Sequence, residues 1–170
     1  YILVAQENKK GPHNAIPEST MKIKYPETYK WLSNFRDILF ITRKRNGKFF
    51  NERIDPFYAL DNVGLYTFTP YKVIWREQKS EMTACVISTK KEGILKGKLI
   101  MADSKILSCS LENEDEAHYL CAILNSLVVR YIIENYTIDI QIGTDVLKNI
   151  AIPKFIPRNI SYWANDHELA

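Results

Sequence analysis

Cysteine is scarce: Cys85, Cys109 and Cys121 are widely spaced, form no CxxC pair, and meet no histidine cluster, so a zinc site finds no ligand set of the usual spacing. Each sits in an apolar pattern, where a free thiol behaves as a small hydrophobe, and a reducing cytoplasm fits. The six glycines do not assemble a Gly-rich cofactor turn. No apolar run approaches the roughly 18 residues that a membrane-spanning helix needs. The first residues, YILVAQENKK, turn polar too soon for a signal peptide. No internal repeat or low-complexity tract is visible. Nor does a Ser-His-Asp or Cys-His arrangement stand out: His13 and His167 lie near the termini, and His118 reads as a solvent-facing helix residue. The chain opens on Tyr1, not Met, which leads us to expect a fragment whose chemistry-bearing part lies elsewhere.

What is present reads as an ordinary globular composition. The 170 residues are 46% hydrophobic and 25% charged, enough for a proper core. Basic side chains exceed acidic ones by 23 to 20, a net charge of +3. The excess is clustered. Arg43, Lys44, Arg45, Lys48 and Arg53 fall within eleven residues, and Lys90, Lys91, Lys96 and Lys98 within nine. Such runs are either solvated faces or phosphate-holding patches.

Residues 1–24 read as an irregular linker, broken by Gly11-Pro12 and Pro17. A helix is expected from Pro26, with Leu32, Phe35 and Leu39 as its buried stripe, Trp31 and Ile38 flanking it, and Trp31 assigned to the core. RKRNGK (43–48) reads as an exposed basic loop turned at Asn46-Gly47. Strands are expected at Tyr66 to Thr69, Tyr71 to Arg76 and Met82 to Ser88. A hairpin of Leu99 to Ala102 with Lys105 to Leu111 would turn at Asp103-Ser104. Ala117, Leu120, Cys121, Leu124, Leu127 or Val128, and Tyr131 then repeat at helical spacing from an acidic start, with a break near Asn125-Ser126. Thr144 can cap a short helix ending before Pro153. The pattern predicts an α+β (mixed α/β) fold, a twisted, mainly antiparallel sheet packed by a long helix. The domain would span 25–157, with 158–170 as a tail.

The densest stretch is GLYTFTPYKVIWRE, Gly64 to Glu77. Within Tyr71 to Arg76 the alternation puts Tyr71, Val73 and Trp75 on one face and Lys72, Ile74 and Arg76 on the other. One face can enter a core while the other offers an ammonium and a guanidinium to phosphates or base edges. Together with DPFY (Asp55 to Tyr58), DEAHYLCAILNS (Asp115 to Ser126) and QIGTDVLKNIAIPKF (Gln141 to Phe155), this stretch resembles a known family. It is similar to the C-terminal target recognition (specificity) domain of adenine-specific DNA methyltransferases, the Type IIG and TaqI-like restriction-modification enzymes. The similarity runs in consistent order from Tyr25 to Phe155.

The resemblance implies a DNA-binding specificity domain, non-catalytic in itself, that reads duplex DNA for a methyltransferase catalytic domain of the same parent chain. That parent would be an adenine-N6 DNA methyltransferase using S-adenosylmethionine, with a fused endonuclease, and hence Mg2+, as an option. No membrane is involved. The expected DNA contacts are Arg43, Lys44, Arg45, Lys48, Tyr71, Lys72 and Arg76, with Gln141 and Thr144 near a helix start. Base readers would lie outside the shared runs, for instance in Phe49 to Arg53 or Thr89 to Lys98.

Two echoes of catalytic sites are weaker. Asp55-Pro56-Phe57-Tyr58 lacks the second proline of the Asp-Pro-Pro-Tyr motif of amino-methyltransferases and reads as structural. Asp61 with Glu77 and Lys79 fits the loose D…ExK spacing of a metal-dependent nuclease domain, a second reading. A protein-interaction domain that docks a partner through the aromatic strands is a third.

Overall fold

A computed structural model describes residues 2–11, 13–44, 50, 51, 53–77, 82–89, 94, 96–102, 105–136, 147, 148 and 150–157, without the side chains of residues 43, 44, 134 and 136. The protein is α+β: among the described residues there are five α-helices and one three-stranded antiparallel sheet. The sequence reads as one domain over 25–157, whereas the folded chain divides into two compact units, Tyr1–Phe68 and Thr69–Ala170. None of the helices among the described residues is long and apolar enough to cross a membrane.

The first unit is built on α1 (Glu18–Lys24), α2 (Pro26–Ser33) and α3 (Arg36–Lys44). Helix α1 departs from the irregular reading of residues 1–24. It follows Pro17, whose carbonyl accepts the Met21 N–H at 2.9 Å, and carries Glu18 in its first turn and Lys22 and Lys24 in its last, matching the helix dipole. Ala5, Ala15 and Met21 are buried, and Gln6 bridges to Ala15, so these residues are part of the unit's packing. Pro26 starts α2 where its missing N–H costs nothing. The core gathers Ala5, Met21, Leu32, Phe57 and Tyr58, with the Phe57 ring 4.9 Å from Tyr58, edge-on. Burying Phe57 contributes about 1.5–3 kcal/mol. Trp31, expected in the core, is instead 56% exposed and stacks edge-on against Phe35 at 5.0 Å. The two lie one turn apart on the outer side, so Phe35, and Ile38 beyond it, also leave the expected buried stripe, while Leu32 faces inward.

The second unit holds β1 (Tyr71–Arg76), β2 (Ala84–Ser88) and β3 (Ile106–Leu111) in the order β2-β1-β3, followed by α4 (Glu114–Leu124) and α5 (Leu127–Tyr136). Val73 lies opposite Val86 on one side and Cys109 on the other, and Trp75 opposite Ala84 and Leu107. That face packs against α4 and α5 through Ala117, Leu124, Val129 and Ile133. Asn113 caps α4, its Oδ1 accepting the Glu116 N–H at 3.0 Å, and three acids fill the first turn. The helix breaks at Asn125-Ser126 as the sequence predicts, and the Ser126 Oγ accepts the Val129 N–H at 3.3 Å to start α5.

Two expected strands are not strands. Leu65–Phe68 forms a 3-10 helix, closed by the Thr67 N–H on the Gly64 carbonyl (3.0 Å) and the Gly64 N–H on Thr67 Oγ1 (3.1 Å). Leu99 to Ala102 is irregular, so β3 finds its partner in β1 rather than in a local hairpin. Asp103-Ser104 and Thr144 lie outside the described residues.

Candidate nucleic-acid interface

β1 is the central strand, and its two faces differ in what they offer. Beside Lys72 stand Ile87 and Ser110; beside Ile74, Cys85 and Ser108; beside Arg76, Ile106. Arg76 is exposed at the strand end. Lys72 is not: it is 4% exposed, and its Nζ turns back to donate to the Thr69 carbonyl at 2.9 Å. Burial pulls its ammonium below the ordinary lysine range. The expected pair of presented cations is therefore a single guanidinium.

Tyr71 lies on the opposite face from Arg76, against the apolar core, and its hydroxyl donates to Glu114 Oε2 at 3.3 Å. The Glu114 charge pushes the phenol's pKa up, so it stays protonated. Tyr71 and Arg76 thus belong to different surfaces of the sheet. A contact that uses Arg76 does not include Tyr71.

The basic run begins at the end of α3, where the backbone of Arg43 and Lys44 closes the helix. Their side chains, with Arg45, Lys48, Gln141 and Thr144, lie outside the described residues. Lys96 and Lys98 are exposed. The division of charge is sharper than the sequence total shows. Residues 1–68 hold eleven lysines and arginines against seven acids, a net of +4, and residues 69–170 hold twelve against thirteen, a net of −1.

In the first unit Asp55, Phe57 and Tyr58 of the DPFY stretch are buried and engaged in packing and hydrogen bonds. The buried Asp55 carboxylate receives His13 Nδ1 at 2.8 and 3.0 Å and the Asn51 N–H at 2.8 Å. Phe57 is wholly buried, and the Tyr58 hydroxyl donates to the Ile16 carbonyl at 2.6 Å. Burial, then the Glu18 charge, pushes the Tyr58 phenol up to about 12. Beside it the Arg36 Nη2 donates to Glu18 Oε2 at 2.9 Å and to the Tyr29 hydroxyl at 2.7 Å, with the guanidinium 4.1 Å from the Phe57 ring centre. Burial works to raise the Glu18 carboxyl, but the bonds from Arg36 and Tyr29 outweigh it and the net shift is downward.

The nuclease set gains no geometry. Asp61 belongs to the first unit, Glu77 to the second, where its N–H donates to the Lys105 carbonyl at 3.2 Å, and Lys79 lies outside the described residues. Among the described residues no group of three His, Cys, Asp or Glu side chains could hold a metal ion.

Sequence reasoning missed the His13–Asp55 pair, whose partners are 42 residues apart, and a pocket beside Tyr66. Neither has a local signal.

The chain matches no family, no curated protein and no solved structure.

Proposed function

We propose that this chain is a DNA target recognition domain serving an adenine-N6 methyltransferase, non-catalytic itself and working in the cytoplasm beside a catalytic domain of the same parent that binds S-adenosylmethionine. The observation that carries the reading is β1. Its aromatic face is anchored in a core, which holds Arg76 rigidly at an exposed strand end, where a guanidinium can bridge phosphate or guanine. The ordered similarity from Tyr25 to Phe155 and the net +4 of the first unit support it. In this reading the basic excess supplies most of the affinity and a few side chains supply register and sequence.

Fluorescence-anisotropy titration with random duplex DNA, without metal and at two salt concentrations, tests it. Binding that weakens steeply with salt is expected. Salt-insensitive or absent binding at tens of micromolar would sink it, since a phosphate-gripping surface must lose affinity as counterions are added, by a slope of about −0.9 per phosphate.

A second reading is favoured by one specific observation. Leu127, Val128 and Tyr131 on α5 are 79%, 69% and 69% exposed, an apolar face of the sort that protein partners cover. In that case the domain docks a protein, and substitution of these three residues, not of Arg76, abolishes its binding.

A further inference from the structure

The first unit carries a pocket of about 390 Å³ lined by Lys10, Gly11 and the turn from Asn62 to Tyr66. Two buried amides fix the chain leading into that turn: Gln6 Nε2 donates to the Leu60 carbonyl at 2.9 Å and Asn14 Nδ2 to the Val63 carbonyl at 2.8 Å. Tyr66 is 46% exposed, yet its ring is not free to swing. The phenol hydrogen is shared between the Asn62 carbonyl and Asn62 Oδ1, the latter at 2.8 Å. Asn62 itself takes a left-handed backbone, φ 56°, tolerated by asparagine. Gly64 lies under the ring, so close that a Cβ there would come within 2.7 Å of a ring carbon. Burial also raises the phenol pKa and keeps this donor in place.

An aromatic held at its hydroxyl and by its 3-10 backbone, lining a pocket beside an exposed ammonium, is suited to one ligand chemistry. A planar heterocycle stacks on the ring while an attached phosphate meets Lys10. The volume falls in the range of small-ligand sites, roughly 300–1,000 Å³, and is of the size of one nucleotide. We propose that the pocket holds a single unpaired nucleotide of a DNA strand, its base on Tyr66 and its phosphate at Lys10. The inference rests on the DNA reading above and adds a preference to it: DNA with an unpaired base should bind more tightly than matched duplex.

The full chain is titrated with a matched duplex and with the same duplex carrying one unpaired 2-aminopurine, reading anisotropy and base fluorescence together. The expected result is about tenfold tighter binding of the unpaired form, with quenched fluorescence, and loss of both gains in Tyr66→Ala. Lys10→Gln, an exposed change that spares the fold, should make the salt slope shallower by about 0.7 to 0.9 for the unpaired form only. Gly64→Ala, which pushes the ring aside, should act like Tyr66→Ala. Equal binding of both duplexes by wild type and Tyr66→Ala overturns the pocket and leaves the duplex reading standing. Tyr66-dependent capture of the unpaired form without matched-duplex binding overturns the duplex reading and keeps the pocket. Free deoxyadenosine monophosphate competing as well as the oligonucleotide overturns the strand as the source.

Discussion

Asn125 satisfies both outward-facing backbone groups of Ala84. The Ala84 N–H donates to Asn125 Oδ1 at 2.8 Å, and Asn125 Nδ2 donates to the Ala84 carbonyl at 2.9 Å. Ala84 opens the edge strand β2 opposite Trp75, so a side-chain carboxamide stands where one residue of a further strand would sit. Cys121 Sγ reaches the same carbonyl at 3.5 Å. The residue that ends α4 therefore also ties the helix pair to the sheet.

Removing this carboxamide should loosen that tie. Asn125→Ala is expected to cost about 1–2 kcal/mol, two neutral hydrogen bonds at about 1 kcal/mol each, reduced because water reaches the edge. A lower urea midpoint at unchanged slope is the signature. Asn125→Asp keeps the acceptor but turns a second oxygen on the Ala84 carbonyl, and should not rescue.

Arg36 should matter more than its surface position implies. It binds Glu18 and the Tyr29 hydroxyl and lies over Phe57, so Arg36→Ala is expected to cost about 1–2 kcal/mol, after discounting for solvent screening of a pair that is one-third exposed. Arg36→Lys should recover less than half, since an ammonium cannot bridge both partners from one plane. The acid side follows from Glu18. Its carboxyl is held below the ordinary 4.5, so its contribution is complete above that value and disappears as pH falls through the folded pKa. Thermal melts from pH 6 down to 2 should show a loss that is blunted in Glu18→Gln.

Lys72 predicts the opposite limb. Burial lowers its pKa below 10.5, so between the folded and unfolded values the unfolded chain binds more protons and stability rises with pH. Melts across pH 8 to 10.5 should show that rise in wild type and a flatter profile in Lys72→Met, which keeps the stem but removes the titrating head.

On duplex DNA, Arg76→Ala should weaken binding several-fold and make the salt slope shallower by about 0.9, one phosphate's share. Tyr71→Phe should leave affinity unchanged, because that hydroxyl is engaged with Glu114 on the other face. Equal losses for both variants would mean that the contact surface is not the one holding Arg76.

These residues also mark what the sequence could tell. β1 and α4 were legible because alternation and helical spacing are local patterns, and Asn125-Ser126 visibly ends α4. In α5 the same spacing picks Val128 and Tyr131, which are exposed, while Val129 and Ile133 are the buried residues. Helix α1 was not: seven residues with one buried side chain, Met21, leave no stripe to detect. Tyr66 to Thr69 has strand composition, but Gly64 and Thr67 close a tight turn on each other, and that overrides propensity. Trp31 and Leu32 are neighbours, and which one faces inward depends on what packs against the helix. For Lys72 the alternation gave the correct face, while its burial and the turn of its Nζ back to the Thr69 carbonyl are tertiary features with no local signal.

The unequal charge of the two units has a kinetic consequence. A polyanion's field pulls on the +4 unit and faintly repels the −1 unit, so residues 1–68 carry the long-range attraction. Raising the salt to shrink the Debye length to about 8 Å removes that attraction. Encounter should then slow more than a charge of +3 spread evenly would allow.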